Sequence, residues 1–153
     1  MSPLEYRDTR VADINVLFEV RANTRQNPLS RADLAELGIT PDSTTAALES
    51  GALVGSVCTC DDRVIGFCSG DPHTGEVLVL AVLPDYEGRG VGKQLLARVV
   101  ERLQRARPIR VWLAAAADPT LRSHGFYRAL GWRPTGERTE NGDEILAWRE
   151  GLP

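Results

Sequence analysis

The order of predicted secondary-structure elements indicates an α+β fold organised around one sheet. Apolar residues recur at helical spacing through the first third of the chain. They then alternate or run continuously, as in strands, before strand and helix patterns take turns. The length of 153 residues favours a single domain with its own core, spanning residues 1–153.

The first predicted strand, over Leu4 to Thr9, alternates polar and apolar residues and is followed by three helices. A helix over 13–25 places its apolar residues at helical spacing. Ser30, with Asp33 three residues later, predicts the start of a second short helix that Gly38 ends. A third helix is predicted over 43–50, after Pro41.

The remaining elements begin where the spacing of apolar residues changes from that of helices to that of strands. Segments 52–59 and 63–69 are rich in Val, Ile and Cys, and Asp61-Asp62 joins them as a hairpin. The strand 76–83 is almost continuously apolar and should be central in the sheet. The elements predicted after it are a helix over 89–105, a strand over 109–114, a helix over 120–130 stopped by Gly131, and strands over 132–135 and 145–149.

The charge and hydropathy of the chain exclude several classes of partner. The net charge is −3, and Lys and Arg are scattered among acids, which argues against a nucleic-acid-binding surface. No apolar run is long enough to span a bilayer, so no membrane partner is expected. The first residues lack the apolar centre of a signal peptide, and we expect a cytoplasmic protein.

The cysteines, Cys58, Cys60 and Cys68, are expected to be reduced packing residues. Their odd number in a chain without a secretion signal argues against a disulfide framework. No further ligands stand at a spacing that would complete a zinc site, so no metal is expected.

Three glycines follow the strand that ends before Pro84, and a helical pattern begins at once. We call residues 87–92 the glycine loop. Glycine allows positive φ and close approach of the backbone, and a helix start offers unpaired N–H groups to an anion. The loop is not a Walker A motif, because Glu87 and Gln94 stand where that motif has Gly and Ser or Thr. It is not a dinucleotide fingerprint either, because the third glycine position is Lys93.

Gly88-Arg89-Gly90-Val91-Gly92 after an apolar strand resembles the acyl-coenzyme A loop of the GNAT superfamily of N-acetyltransferases. Glu87, Gly90 and Gly92 occupy the defined positions of the pattern Gln/Arg-x-x-Gly-x-Gly/Ala, with Glu87 departing from it. The segment 125–132, Gly-Phe-Tyr-Arg-Ala-Leu-Gly-Trp, resembles the family's C-terminal Phe-Tyr-x-x-x-Gly-Phe/Trp stretch.

The resemblance implies one mixed, mostly antiparallel sheet that is splayed between its fourth and fifth strands, with helices on both faces. It implies acetyl-coenzyme A as the co-substrate. The pantetheine arm would bond the backbone of Ala81, Val82 and Leu83, and an N–H near Val82 would polarise the thioester carbonyl. Thr120 stands where many relatives contact the coenzyme, although a helix N-cap would also account for its hydroxyl. The diphosphate would be bound by the backbone of Gly88, Arg89, Gly90, Val91, Gly92 and Lys93, with added charge from Arg89 and Lys93.

The resemblance also assigns acid–base roles. Tyr127 matches the general acid that protonates the thiolate leaving group. Glu76 is the candidate base, at a position where histone-type members carry a catalytic glutamate. A water chain, His73 and His124 are the alternatives, the last lying one helical turn before Tyr127.

The acceptor wall is expected from the segment 19–28 and the late strands. Arg21 and Arg25 are four residues apart and could bind a carboxylate or phosphate, or could lie on an exposed helix face. A charged loop near the chain end could line the same mouth; its residues are Arg138, Glu140, Asn141 and Asp143.

Together these features predict an N-acetyltransferase that moves an acetyl group from acetyl-coenzyme A to a primary amine of a small molecule or peptide. Two alternatives stay open: a non-catalytic module that binds or senses coenzyme A, and an acyltransferase with a longer acyl donor. Homodimers are common in the family, and a second copy is the one protein partner that the resemblance implies.

Overall fold

The computed structural model describes residues 2–25, 28–107 and 109–148. The last predicted strand was expected to end at Arg149, which lies outside the described residues. The strands are β1 (Leu4–Asp8), β2 (Val54–Cys60), β3 (Arg63–Gly70), β4 (Val77–Val82), β5 (Trp112–Ala115), β6 (Trp132–Arg138) and β7 (Glu144–Trp148). The α-helices are α1 (Ile14–Ala22), α2 (Arg31–Glu36), α3 (Pro41–Ser50), α4 (Val91–Ala106) and α5 (Arg122–Ala129). Two short 3₁₀ turns cover Val11–Asp13 and Pro84–Tyr86.

The strands form two antiparallel sheets that meet at one point. One sheet has the order β1-β2-β3-β4 and the other the order β5-β7-β6. Among the described residues, only a parallel bridge between Glu76 and Trp112 links β4 to β5. The predicted α+β class and the splay between the fourth and fifth strands are therefore confirmed.

Helices cover both faces of the larger sheet. Neighbouring residues of a strand point to opposite faces, and they belong here to different clusters. Cys58 and Cys68 pack with the buried face of α4, whereas Val57 and Phe67 pack with α1. The buried residues of α4 are Val91, Leu95, Leu96, Val99, Val100 and Leu103, as its amphipathic pattern predicts.

The predicted hairpin turn and the predicted cap of α2 are both present. Asp61 and Asp62 have φ of 51° and 63°, the left-handed conformation that a two-residue hairpin requires. The Ser30 hydroxyl accepts a hydrogen bond from the Asp33 amide, and the Asp33 carboxylate accepts one from the Ser30 amide. These contacts join residues at most three positions apart, so the sequence alone predicts the turn and the helix start.

Several predicted boundaries are wrong by a few residues, and the reasons are local. Helix α1 ends at Ala22, so Arg25 lies beyond the helix and does not share a helical face with Arg21. Helix α4 starts at Val91, because Gly90 has φ of 79° and cannot be helical. Helix α3 begins earlier than expected, at Pro41, after the cap residue Thr40.

Thr120 is not the cap of α5, which starts at Arg122 after Leu121. The Asp118 carboxylate accepts hydrogen bonds from the Thr120 amide at 2.9 Å and its hydroxyl at 2.7 Å. This side-chain turn takes the place of the first helical turn that the apolar pattern predicted.

The cysteines contribute to packing. Cys58 and Cys68 are buried, Cys60 is partly buried, and all are free thiols. Within the described ranges, no helix combines the length and the apolar character that crossing a membrane requires.

Candidate active site

A groove of about 800 Å³ opens where β4 and β5 separate. Its walls come from β4, the glycine loop, β5 with the residue after it, α5, and the end of α1. The lining residues are Arg21, Thr24, Arg25, Val77–Leu80, Val82, Tyr86–Gly88, Gly90–Lys93, Leu113–Ala116, Leu121–Ser123, Phe126, Tyr127, Asn141 and Asp143. The fold thus brings most of the sequence-predicted residues into one cleft.

The glycine loop has the geometry of an anion site. Gly88 and Gly90 have φ of 78° and 79°, and a Cβ at either position would meet no atom within 4 Å. Gly90 is the N-cap of α4 and has no side chain to occupy the free amides of the first turn. Those N–H groups and the helix dipole therefore face open space, which suits a diphosphate.

The basic residue of the glycine loop, Arg89, and the one that follows the loop, Lys93, differ in position. Lys93 lines the groove, whereas Arg89 does not. The Arg89 guanidinium lies over the Tyr86 ring, 5.3 Å from its centroid. Of the two, only Lys93 adds its charge to the groove wall.

The Glu87 carboxylate is shared by two arginines from distant parts of the chain. It accepts a hydrogen bond from Arg25 Nε at 2.9 Å and a longer one from Arg122 Nη1 at 3.4 Å. Arg122, the first residue of α5, was missed by the sequence analysis, because no local pattern distinguishes it from a solvated helix start. Arg25, predicted as an acceptor-binding residue, lines the groove and lies against the glycine loop.

Backbone alternation decides which part of β4 presents free groups to the groove. The Leu83 amide donates a hydrogen bond to Ile65 O at 2.9 Å. The backbone N–H and C=O groups of Leu83, and two residues earlier those of Ala81, therefore point toward β3. Val82 and Leu80 consequently direct their N–H and C=O toward the open side. Of the predicted trio 81–83, only Val82 also lines the groove. Leu80 shares its orientation and was omitted from the sequence analysis.

Tyr127 lies in the groove wall against other aromatic residues. The centroid of its ring lies 5.2 Å from that of Phe126 and 6.2 Å from that of Trp132, and both contacts are edge-on. Burial, with a further contribution from Cys68, raises the pKa of the Tyr127 phenol above its usual value. No residue in the described parts of the chain hydrogen-bonds to its hydroxyl. The phenol is therefore a protonated donor at neutral pH.

Glu76 lies at the closed end of the groove, beside the bridge to Trp112. Burial, and next the charge of Asp71, raises the pKa of its carboxyl. Glu76 is not itself a lining residue, although Val77 is.

Neither histidine lines the groove. His73 is exposed and lies 3.9 Å from Asp71. His124 Nε2 lies 3.9 Å from Glu144, whose carboxylate Arg128 engages at 2.8 Å and 3.0 Å. His124 thus belongs to a charged cluster between α5 and β7.

Part of the groove wall is polar. Arg21, Thr24, Asn141 and Asp143 line it, whereas Arg138, Glu140 and Thr120 do not. Partial burial lowers the pKa of the Arg21 guanidinium below its usual value. Gln26 and Asn27, which the sequence analysis included in this wall as part of segment 19–28, lie outside the described residues.

Across residues 2–25, 28–107 and 109–148, no group of three or more His, Cys, Asp or Glu side chains could hold a metal ion.

Comparisons with known proteins agree with this geometry. PaiA N-acetyltransferase from Thermoplasma acidophilum, solved in complex with coenzyme A, has 19% identity and a TM-score of 0.77, over 95% of this chain and 98% of that one. The ribosomal-protein-S18-alanine N-acetyltransferase of Escherichia coli has 18% identity and a TM-score of 0.64, over 95% and 90%. YncA, a putative acetyltransferase from Salmonella typhimurium solved with acetyl-CoA, has 17% identity and a TM-score of 0.67, over 95% and 92%. At such identities the likeness shows the fold. No curated protein sequence gives a significant match.

The sequence itself supplies the family. Residues 12–132 match the sequence profile of the acetyltransferase (GNAT) family, which is most of the chain and includes both the glycine loop and Tyr127. The chain therefore belongs to the GNAT acetyltransferase family and is an enzyme of the acyltransferase class.

Proposed function

We propose that this enzyme transfers the acetyl group of acetyl-coenzyme A directly to a primary amine of a small molecule or peptide. One observation carries the proposal: the uncapped glycine loop, the open edge of β4 and the Tyr127 phenol line the same groove. A diphosphate at the loop would leave the thioester arm lying along β4. The relatives solved with coenzyme A and acetyl-CoA support the choice of donor.

In this mechanism the strand edge binds and polarises the thioester. The arm would pair with β4 as an added strand, through the outward groups of Val82 and Leu80. One of these amides would donate to the thioester oxygen as negative charge develops there. An electrostatic interaction with Cys68 contributes to the raised pKa of Tyr127, and Cys68 pairs with Leu80 across the sheet. The phenol would therefore lie near Leu80 on β4.

The amine must lose a proton and the leaving sulfur must gain one. Once the ammonium has given its first proton to a base, the amine nitrogen bonds to the carbonyl carbon, the carbon–sulfur bond breaks and the thiolate takes the Tyr127 proton. The second proton, which the nitrogen loses as it becomes the amide, would restore the Tyr127 phenol. Glu76 is the proposed acceptor of the ammonium proton. Since Glu76 lies behind the groove wall, this transfer would pass through water at the inner end.

Thiol release from acetyl-coenzyme A over a panel of amines, amino acid derivatives and peptide N-termini tests the proposal. Tyr127→Phe removes only the acidic proton and should lower kcat by about 10²-fold or more, with coenzyme affinity retained. Tyr6→Phe on β1 is the matched control. Unchanged turnover in Tyr127→Phe would disprove the acid role.

The same assay separates the alternatives. Tight coenzyme binding with no turnover on any amine would identify a binding module rather than a catalyst. Faster transfer from propionyl- or succinyl-coenzyme A than from acetyl-coenzyme A would identify a longer acyl donor.

A further inference from the structure

The Glu87 carboxylate ties together three segments at the phosphate end of the groove. Arg25 lies 62 residues before it and Arg122 35 residues after it. The Glu87 side chain is 20% exposed, whereas those of Arg25 and Arg122 are 62% and 60% exposed. The carboxylate is thus the enclosed member, and the two arginine side chains are the solvent-exposed ones.

The position of Glu87 creates an electrostatic conflict with an anionic ligand. It directly precedes Gly88, where the free amides of the glycine loop begin. A lone carboxylate beside a diphosphate would weaken binding by like-charge repulsion. Two arginines bound to it reverse the local sign, leaving the trio with a net charge of about +1 at neutral pH.

The hydrogen-bond geometry leaves the arginines able to bind a second anion. Glu87 engages Arg25 through Nε and Arg122 through Nη1. A guanidinium carries five N–H donors, so each arginine keeps others for a phosphate oxygen. All three residues line the same groove as Gly90 and Lys93.

We propose that Glu87 is a positioning residue, which holds Arg25 and Arg122 where their guanidinium groups contact the diphosphate of the bound ligand. The inference rests on the proposed function for the identity of that ligand, coenzyme A. Backbone amides bind the diphosphate from the loop side, and the two arginines bind it from α5 and from the segment after α1.

Positioning and simple repulsion predict opposite changes in coenzyme A affinity when Glu87 loses its charge. If Glu87 acted only as a negative charge near the ligand, Glu87→Gln would raise affinity for coenzyme A. If it positions the arginines, Glu87→Gln lowers affinity, since the neutral amide binds guanidinium groups more weakly than a carboxylate does. For partly exposed, solvent-screened groups the expected loss is roughly threefold to tenfold.

Calorimetric titration with coenzyme A tests this in the wild type, Glu87→Gln, Arg25→Ala/Arg122→Ala, and the triple variant. The control is Glu101→Gln, which removes a carboxylate paired with Arg105 on α4, away from the groove lining. We expect weaker binding in Glu87→Gln and in the arginine double variant, with little added loss in the triple variant. The control should bind like the wild type, and the unliganded variants should unfold at similar temperatures.

A second ligand separates positioning from collapse of the loop. Thermal-shift titration with pantetheine, which lacks every phosphate, should give the same response in wild type and Glu87→Gln. Equal losses for coenzyme A and pantetheine, or unchanged or tighter coenzyme A binding by Glu87→Gln, would overturn the inference while leaving the proposed function standing. A wild type that does not bind coenzyme A would overturn both.

Discussion

The ring of Phe126 packs so closely on Gly92 that a Cβ at Gly92 would lie 3.3 Å from Phe126 Cζ. The same Cβ would lie 3.7 Å from Leu80 Cδ2 on β4. Gly92 therefore lets α5 and β4 approach the start of α4, and this approach defines the inner wall of the groove. Its role differs from that of Gly88 and Gly90, which are required for their backbone conformation.

The first prediction concerns this contact. Gly92→Val should lower the free energy of unfolding by roughly 1–3 kcal/mol, because its methyl groups would overlap the Phe126 ring. Gly92→Ala should cost much less, since the ring can shift by a few tenths of an ångström and alanine favours the helix. Urea unfolding measures both. The cost of Gly92→Val should shrink in a Phe126→Ala background, and equal costs in the two backgrounds would refute the contact.

The second prediction concerns the backbone of the glycine loop. Gly90→Ala forces a Cβ into the left-handed region and should cost about 1–2 kcal/mol of stability. It should also weaken coenzyme A binding, because relaxation of the strain moves the amides. Gly38→Ala is the matched control, since Gly38 has φ of 81°, with no atom within 4 Å of a Cβ, and lies outside the groove. It should lose similar stability and no affinity; equal affinities in the two variants would contradict the prediction.

The third prediction concerns pH. Burial, and then Asp71, raises the pKa of Glu76, and a base acts only when deprotonated. The acid limb of kcat/KM should therefore fall above the usual pKa of a glutamate, and Asp71→Asn should move it to lower pH by removing a like charge. Asparagine keeps an acceptor for the His73 amide, which Asp71 binds at 2.8 Å. A limb that stays in place in Asp71→Asn would exclude Glu76 as its origin.

The fourth prediction concerns an ion pair remote from the groove, between the buried Asp13 and the partly exposed Arg7. Arg7 binds both Asp13 oxygens, at 2.8 Å and 2.9 Å, and the Asp13 side chain is 8% exposed. Burial alone would raise the pKa of Asp13, but the hydrogen bonds from Arg7 and the Arg10 amide outweigh it, and the pKa is lowered. A lowered folded-state pKa means that this stabilisation is complete above the usual aspartate pKa and is lost as pH falls through the folded value.

Asp13→Asn should accordingly lower the free energy of unfolding at pH 7 by about 3 kcal/mol, because it leaves Arg7 without its partner charge. It should also flatten the fall in stability below about pH 4. Urea unfolding from pH 7 to pH 3 measures both effects. Glu49→Gln, an exposed carboxylate on α3, is the control and should follow the wild-type curve; an Asp13→Asn curve parallel to wild type would refute the linkage.

The local features were predictable because short-range sterics and hydrogen bonds produce them. The Asp61-Asp62 hairpin, the Ser30 cap and the buried stripe of α4 each need only a few neighbouring residues. The glycine loop is also a local feature, because its positive φ values favour glycine whatever the tertiary surroundings.

The errors arose where a local pattern met a tertiary contact or a competing turn. The spacing of Arg21 and Arg25 suggested one helix face, but the helix ends at Ala22 and Arg25 binds Glu87. Thr120 had the residue type of a helix cap, but the Asp118 carboxylate captured its hydroxyl and amide.

From its residues alone, this chain could be recognised as an α+β protein with a glycine loop before a helix, because helix periods, strand alternation and glycine conformation are properties of contiguous segments. Three-dimensional packing was needed to show that Tyr127, Val82 and the glycine loop share one groove, and that Glu87 binds one arginine 62 residues before it and another 35 residues after it. Such contacts join residues tens of positions apart, and no spacing in the sequence records which side chains the folded backbone brings together.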